Sequence, residues 1–172
     1  MREQGFYLVR NLTDTEESIE MVFEAIGGEV LWSALSDALE SDDNDVLSQA
    51  VYCLGNMANS PTHHADLLSH PRILQSLRKC LVDGKVYVRR PAAACILELV
   101  RTNPRCYHDL HAAGIDSTLR HMCDYGSSLL SSSSPAMRFG MGLQMGIEDD
   151  REVLETVRDA LRLMEMHGEL GM

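Results

Sequence analysis

The segment AVYCLGNMANS, residues 50–60, has the apolar spacing of an amphipathic helix until it reaches a Gly-Asn pair. An asparagine inside a helix lowers helix stability, because its side chain competes for backbone hydrogen bonds. The segment GFYLVRNLTDT, residues 5–15, also places an asparagine four positions after a tyrosine. The two pairs are Tyr7 with Asn11 and Tyr52 with Asn56. This recurrence indicates an internal repeat in which both asparagines have one role.

An offset of 42 residues aligns apolar positions of the chain with one another. The aligned sets are Leu31, Ile73 and Ile115; Leu35, Leu77 and Leu119; and Ala38, Cys80 and Met122. Between YLVRN and YCLGN the offset is 45, which a three-residue insertion within residues 13–20 explains. Proline follows Ser60 and Asn103, as at helix starts. Each unit is therefore predicted to hold a short first helix, a second helix and a longer third helix.

The composition, rich in Leu, Ala, Val and Met and poor in aromatic residues, favours an all-α fold. A period of 42 fits armadillo or HEAT repeats, whose units span about 40 to 47 residues, and three helices per unit favour armadillo. The predicted second helices cover about 29–40, 71–82 and 114–124, and the third helices about 3–13, 45–59 and 87–102. We expect an armadillo-type α-solenoid of two to three repeats with a C-terminal capping helix.

The chain resembles the armadillo family over about residues 3–125, through QAVYCLGNMA, EQGFYLVRNL and RRPAAACILELV, which look like armadillo third helices. More narrowly, REQGFYLVRNL followed by two repeats and a C-terminal helix is similar to the C-terminal part of the armadillo subunit of GID/CTLH ubiquitin ligases. This resemblance implies a right-handed superhelix and a non-catalytic scaffold that joins a substrate receptor to a ligase core. The alternative is an adapter of the importin-α or β-catenin kind, which binds extended peptides.

The resemblance also implies that third helices line a concave groove, into which Tyr7, Asn11, Tyr52 and Asn56 project. An exposed carboxamide can pair with both the N–H and the C=O of an extended peptide, and a tyrosine ring can bind a cation. At the third position of this series stands Glu98, which would favour a basic partner. Two structural alternatives remain open: Asn56 bonding a neighbouring third helix or capping its own, and Glu98 pairing with Arg101 or Arg90.

The chain divides into repeats at 1–125, a Ser- and Gly-rich loop at 126–146 predicted to be flexible, and a C-terminal helix and tail at 147–172. The repeats begin with a partial unit, 1–13, followed by two units. We expect the final helix to cap the last repeat or to dock onto another subunit. A lone third helix leaves an apolar side uncovered, so we expect further repeats or a partner chain to cover the N-terminal edge, and we interpret the chain as part of a longer protein.

Charge and cysteine content narrow the possible partners and location. The net charge is -11, and residues 1–50 carry twelve acids against Arg2 and Arg10, so nucleic acid is a poor partner. Five cysteines without a C-x-x-C pair indicate a reducing compartment. The sequence shows neither a membrane-spanning apolar run nor a signal-peptide profile. We expect a cytoplasmic or nuclear protein.

No motif for catalysis or cofactor binding is present in the sequence. The G-x-S-x-G, P-loop and G-x-G-x-x-G patterns are absent, so we expect no enzymatic activity and no cofactor. One group has metal-like composition but none of the usual zinc spacings, and consists of Cys106, His108, His111, His121 and Cys123. We expect no metal site.

Overall fold

The computed structural model describes residues 2–83, 85–132 and 141–170, with side chains for 4–82, 85–124 and 151–168. Within these residues the chain forms ten α-helices and two short 3-10 helices, and no strand. The repeated apolar positions of the sequence lie at the centre of one continuous core: Leu35, Leu77 and Leu119 are each fully buried. The predicted all-α solenoid is confirmed.

Three helix types alternate along the chain. The first helices are α2 (Glu16–Ile26), α5 (His64–Leu68, after the 3-10 turn Pro61–His63) and α8 (Tyr107–Ala112, after the 3-10 turn Pro104–Cys106). The second helices are α3 (Gly28–Leu39), α6 (Pro71–Asp83) and α9 (Ile115–Ser132). The third helices are α1 (Arg2–Leu12), α4 (Asn44–Met57), α7 (Val86–Thr102) and α10 (Met141–Leu170).

Third helices pack side by side in the order α1, α4, α7, α10, and second helices in the order α3, α6, α9. Each third helix after α1 also packs on the second helix of its own unit. Because neighbouring units share their apolar sides, no unit has a core of its own. This arrangement places the Tyr-x3-Asn segments on adjacent helices, α1 and α4.

The predicted C-terminal helix, α10, packs on the last repeat. It contacts α7 and α9, as α7 contacts α4 and α6, so it takes the place of the third helix in a third unit. Its buried side consists of Val153, Leu154, Val157, Ala160 and Met164. The described chain therefore contains α1 followed by three complete units.

The predicted Ser- and Gly-rich loop is helical at both ends. Helix α9 continues through 126–132 and α10 already includes 141–146, while 133–140 lies outside the described residues. Each residue added to an existing helix gains a backbone hydrogen bond, so poor helix formers do not by themselves end it. Composition alone placed both helix ends wrongly.

Polar contacts connect consecutive units. Arg72 on α6 donates to Glu40, the residue after α3, at 2.8 Å, and this hydrogen bond lowers the pKa of the Glu40 carboxyl below its ordinary value. Arg78 on α6 donates to Thr118 of α9 at 2.9 Å. The ring of His63 stacks on Phe23 of α2 with centroids 3.6 Å apart. These contacts join the first and second helices of one unit to those of the next.

Candidate functional site

The predicted groove residues lie on three consecutive third helices, and we call them the third-helix set: Tyr7 and Asn11 on α1, Tyr52 and Asn56 on α4, and Glu98 on α7. The two members on α1 are more exposed than the other three. Tyr7 is 56 % exposed and Asn11 is exposed, whereas Tyr52, Asn56 and Glu98 are half-buried. A partner therefore reaches the α1 members most easily.

Asn56 has a structural role between two helices. Its Nδ2 donates to the Arg10 carbonyl oxygen at 2.9 Å and lies 3.3 Å from Thr13 Oγ1. Carbonyls in the last turn of a helix have no intrahelical partner, so this amide caps α1 from the neighbouring helix. Both amide hydrogens are thereby used, and only Oδ1 remains to accept a bond from a partner. Paired donation and acceptance with a peptide backbone would require these contacts to break.

Tyr52 is covered by an arginine of the same chain. The Arg10 guanidinium carbon lies 3.9 Å from the Tyr52 ring centroid, and its Nη1 donates to Gln49 Oε1 at 3.2 Å. A cation held over a tyrosine ring contributes about 0.5 to 2 kcal/mol, depending on its desolvation. The aromatic face that we expected to bind a partner's cation thus already binds one.

On α1 the equivalent tyrosine and asparagine, Tyr7 and Asn11, do not make the contacts that Tyr52 and Asn56 make. Asn11 makes no side-chain hydrogen bond with any residue that the structure describes, and the Tyr7 ring has no aromatic or cationic neighbour among them. Beside them, Leu8 is 58 % and Leu12 is 48 % exposed. The α1 part of the third-helix set therefore combines unused polar groups with uncovered apolar side chains.

Glu98 forms an ion pair with Arg101, at 2.6 Å between Oε2 and Nη2. Its side chain is 20 % exposed and that of Arg101 is 62 % exposed, so the pair contributes under about 1 kcal/mol. Arg90, the other partner considered, instead pairs with Glu152 of α10. Attraction of a basic partner to Glu98 stays a prediction.

The cysteine and histidine residues do not converge in the described side chains. No group of three or more His, Cys, Asp and Glu side chains suited to a metal ion occurs among them. His111 Nδ1 lies 2.9 Å from Asp116 Oδ2, and Cys106 is buried with its Sγ 3.5 Å from the Leu99 carbonyl oxygen. Burial raises the pKa of the Cys106 thiol to about 12, so the thiolate that would bind metal is scarce at neutral pH.

Three residues that complete the α1–α4 contact were not predicted from the sequence: Arg10, Thr13 and Gln49. The helical spacing places residues on a face, but it does not indicate which residue of a neighbouring helix they touch. One signal was nevertheless present. The glutamine three positions before the tyrosine recurs as well, as Gln4 and Gln49.

The geometry defines an α-solenoid of the armadillo type, and solved structures of that fold resemble it. The sequence matches no protein-family model and no curated protein. A designed armadillo repeat protein superposes with a TM-score of 0.69 at 22 % identity, covering 95 % of this chain and 58 % of that protein. At these identities the likeness concerns the fold.

Two further designed proteins show the same similarity. Computationally designed armadillo repeat proteins for modular peptide recognition match with a TM-score of 0.65 at 20 % identity, over 90 % of this chain and 57 % of theirs. Another designed armadillo repeat protein, in complex with the peptide (KR)4, matches with a TM-score of 0.62 at 19 % identity, over 88 % of this chain and 57 % of that one. The chain thus spans less than three-fifths of the length of each.

Within the described part of the chain, no helix combines the length and the apolar character needed to cross a membrane.

Proposed function

We propose that the protein is a non-catalytic scaffold that binds other proteins, and that it links a substrate receptor to a ubiquitin ligase of the GID/CTLH type in the cytoplasm or nucleus. The observation that carries the binding role is the exposed α1 face, where Tyr7 and Asn11 lie beside the uncovered Leu8 and Leu12. The ligase assignment rests on the resemblance of REQGFYLVRNL, the repeats and the C-terminal helix to the armadillo subunit of that ligase. The five cysteines, none of them in a disulfide, support the location.

The scaffold mechanism is positional. A solenoid whose units share one core holds two partners at a fixed separation, which raises the effective concentration of one at the other. No side chain has to act on a bond in the substrate. Binding energy and geometry at the solenoid surface are sufficient for this role.

Reconstitution tests the ligase assignment. The purified protein is mixed with recombinant GID/CTLH core subunits, and the mixture is analysed by size-exclusion chromatography with light scattering. We expect one complex containing both, and separate elution at every concentration would contradict the assignment. The paired substitution Leu8→Glu and Leu12→Glu shows whether α1 is the contact, with the exposed Asn59→Ala as control.

A second candidate is binding of extended basic peptides along the third helices. The net charge of -11, the carboxylate of Glu98 and the structural neighbour in complex with (KR)4 favour it. In fluorescence anisotropy with labelled (KR)4, replacing Tyr7 and Asn11 together by alanine should weaken binding about tenfold. Because these substitutions leave the charge unchanged, non-specific attraction would instead give equal affinity in the variant and in Asn59→Ala.

A further inference from the structure

Helix α4 binds α1 through three polar side chains that all contact one arginine. Gln49 Oε1 accepts from Arg10 Nη1 at 3.2 Å, and the guanidinium lies 3.9 Å from the Tyr52 ring centroid. Asn56 Nδ2 donates to the carbonyl oxygen of the same arginine at 2.9 Å. Arg10 is in the last turn of α1, where carbonyls need external donors. The three side chains thus recognise a helix that ends with an arginine.

Helix α1 carries the same three residues at the same spacing. Gln4, Tyr7 and Asn11 precede Gln49, Tyr52 and Asn56 by 45 positions each. The accompanying apolar positions are Leu8 and Leu12, which correspond to Cys53 and Met57 on α4 and, one unit further, to Cys95 and Leu99 on α7. All four of the corresponding residues are fully buried, whereas Leu8 and Leu12 are about half exposed. Helix α1 therefore exposes the surface with which α4 receives a helix.

We propose that this surface, the α1 docking face (Gln4, Tyr7, Leu8, Asn11 and Leu12), binds an α-helix that has an arginine in its last turn. The arginine stacks on Tyr7 and donates to Gln4, and Asn11 donates to the carbonyl of that arginine. Apolar side chains one and four positions before the arginine cover Leu8 and Leu12, as Val9 and Phe6 precede Arg10. The inference deepens the proposed scaffold function and rests on it.

Charge and hydrogen bonding favour this occupant over others. Residues 1–50 carry a net charge of -10, and residues 11–71 contain neither lysine nor arginine, so a cationic helix end meets an acidic surface. Leu8 and Leu12 are one helical turn apart, a spacing that fits the side chains of a second helix. On α4 the carbonyl oxygen bonded by Asn56 and the guanidinium stacked on Tyr52 belong to one arginine at a helix end, a pairing that Asn11 and Tyr7 can repeat.

A helical peptide with the sequence of residues 2–15 supplies the probe. A hydrocarbon staple that replaces Tyr7 and Asn11 of the peptide holds it helical and removes two of its own docking residues. We expect it to bind the full chain in isothermal titration, and the Arg10→Ala peptide to bind about tenfold more weakly. Tyr7→Ala and Asn11→Ala in the protein should weaken binding similarly, with Asn59→Ala unchanged. Tyr7→Ala combined with the Arg10→Ala peptide should cost less than the sum of the two.

Absence of peptide binding, or equal affinity of the wild-type and Arg10→Ala peptides, would overturn the inference. Binding that responds to Asn56→Ala but not to Asn11→Ala would also overturn it, because the peptide would then be displacing α1 from α4. A concentration-dependent dimer in sedimentation that Leu8→Glu abolishes would assign the face to a second copy instead. If the peptide fails while the ligase complex still forms, the docking inference alone fails and the proposed function stands.

Discussion

At the scale of single residues, Asn56 matters because its side chain binds α1, the helix that carries Tyr7 and Asn11 of the third-helix set. Replacing Asn56 by alanine removes the donor that α4 supplies to the Arg10 carbonyl oxygen, which still accepts from the Thr13 N–H at 3.3 Å and from Thr13 Oγ1 at 3.1 Å. Because the carbonyl keeps a partner, we expect Asn56→Ala to destabilise the docking of α1 by about 0.5 to 1.5 kcal/mol. Hydrogen exchange of α1 amides and urea unfolding measure this loss.

The matched control is Asn59→Ala on the same polypeptide segment. Asn59 makes one exposed bond, to the Gly55 carbonyl oxygen at 3.3 Å, and its loss should change stability by less than about 0.5 kcal/mol. Equal exchange rates of α1 amides in the two variants would show that Asn56 does not hold α1. The presence of Asn56 in α4, despite the low helix propensity of asparagine, would then need another explanation.

The sequence predicted where the asparagines lie but not what they bind. Recurrence of Tyr-x3-Asn indicated a common role, and helical spacing placed each pair on one face. The partner of Asn56 is a backbone carbonyl 46 residues away, at the end of another helix. Such a contact depends on how far two helices slide along each other, which apolar periodicity does not fix.

At the scale of helices, the periodic apolar pattern was enough to locate the core elements. Predicted third helices at 45–59 and 87–102 correspond to Asn44–Met57 and Val86–Thr102. The pattern failed in the C-terminal part, where it did not reveal that α9 reaches Ser132 or that α10 completes a third unit. The place of α10 depends on its packing against α7 and α9, which composition does not encode.

Substitution of two helical glycines, one in open space and one in close contact with a ring, distinguishes the effect of helix propensity from that of packing. A Cβ on Gly5 of α1 has no atom within 4 Å, whereas a Cβ on Gly168 of α10 lies 2.9 Å from the Tyr107 ring. We expect Gly5→Ala to stabilise the fold by about 0.5 to 1 kcal/mol. We expect Gly168→Ala to destabilise it by about 1 kcal/mol, because the half-buried ring must move. Urea unfolding of both variants checks this, and stabilisation by both would show that α10 does not pack on α8 this closely.

At the scale of the whole molecule, the cysteines report on a core that runs through all units. Cys53 lies on α4, Cys80 on α6, Cys95 on α7 and Cys106 before α8, and all four are buried. Burial raises the pKa of Cys53, Cys95 and Cys106 to about 12 and that of Cys80 to about 11. The units share one core, so each buried thiol is covered by residues of its own unit and of the neighbouring unit. Local unfolding of a unit therefore exposes at least one thiol to water.

These shifts make the free energy of unfolding depend on alkaline pH. The pKa of a thiol in the unfolded chain is 9.0, so the unfolded state loses protons first and becomes more favourable as the pH rises above that value. The stabilising effect of the buried neutral thiols is therefore complete below about pH 8.5 and is lost between about pH 9 and about pH 12. Each thiol contributes up to about 1.4 kcal/mol per pH unit in that range. Urea unfolding of the wild type and of Cys95→Ala across about pH 8 to about pH 10 should give a smaller decline in the variant, whereas parallel declines would show that Cys95 is not shielded in the folded protein.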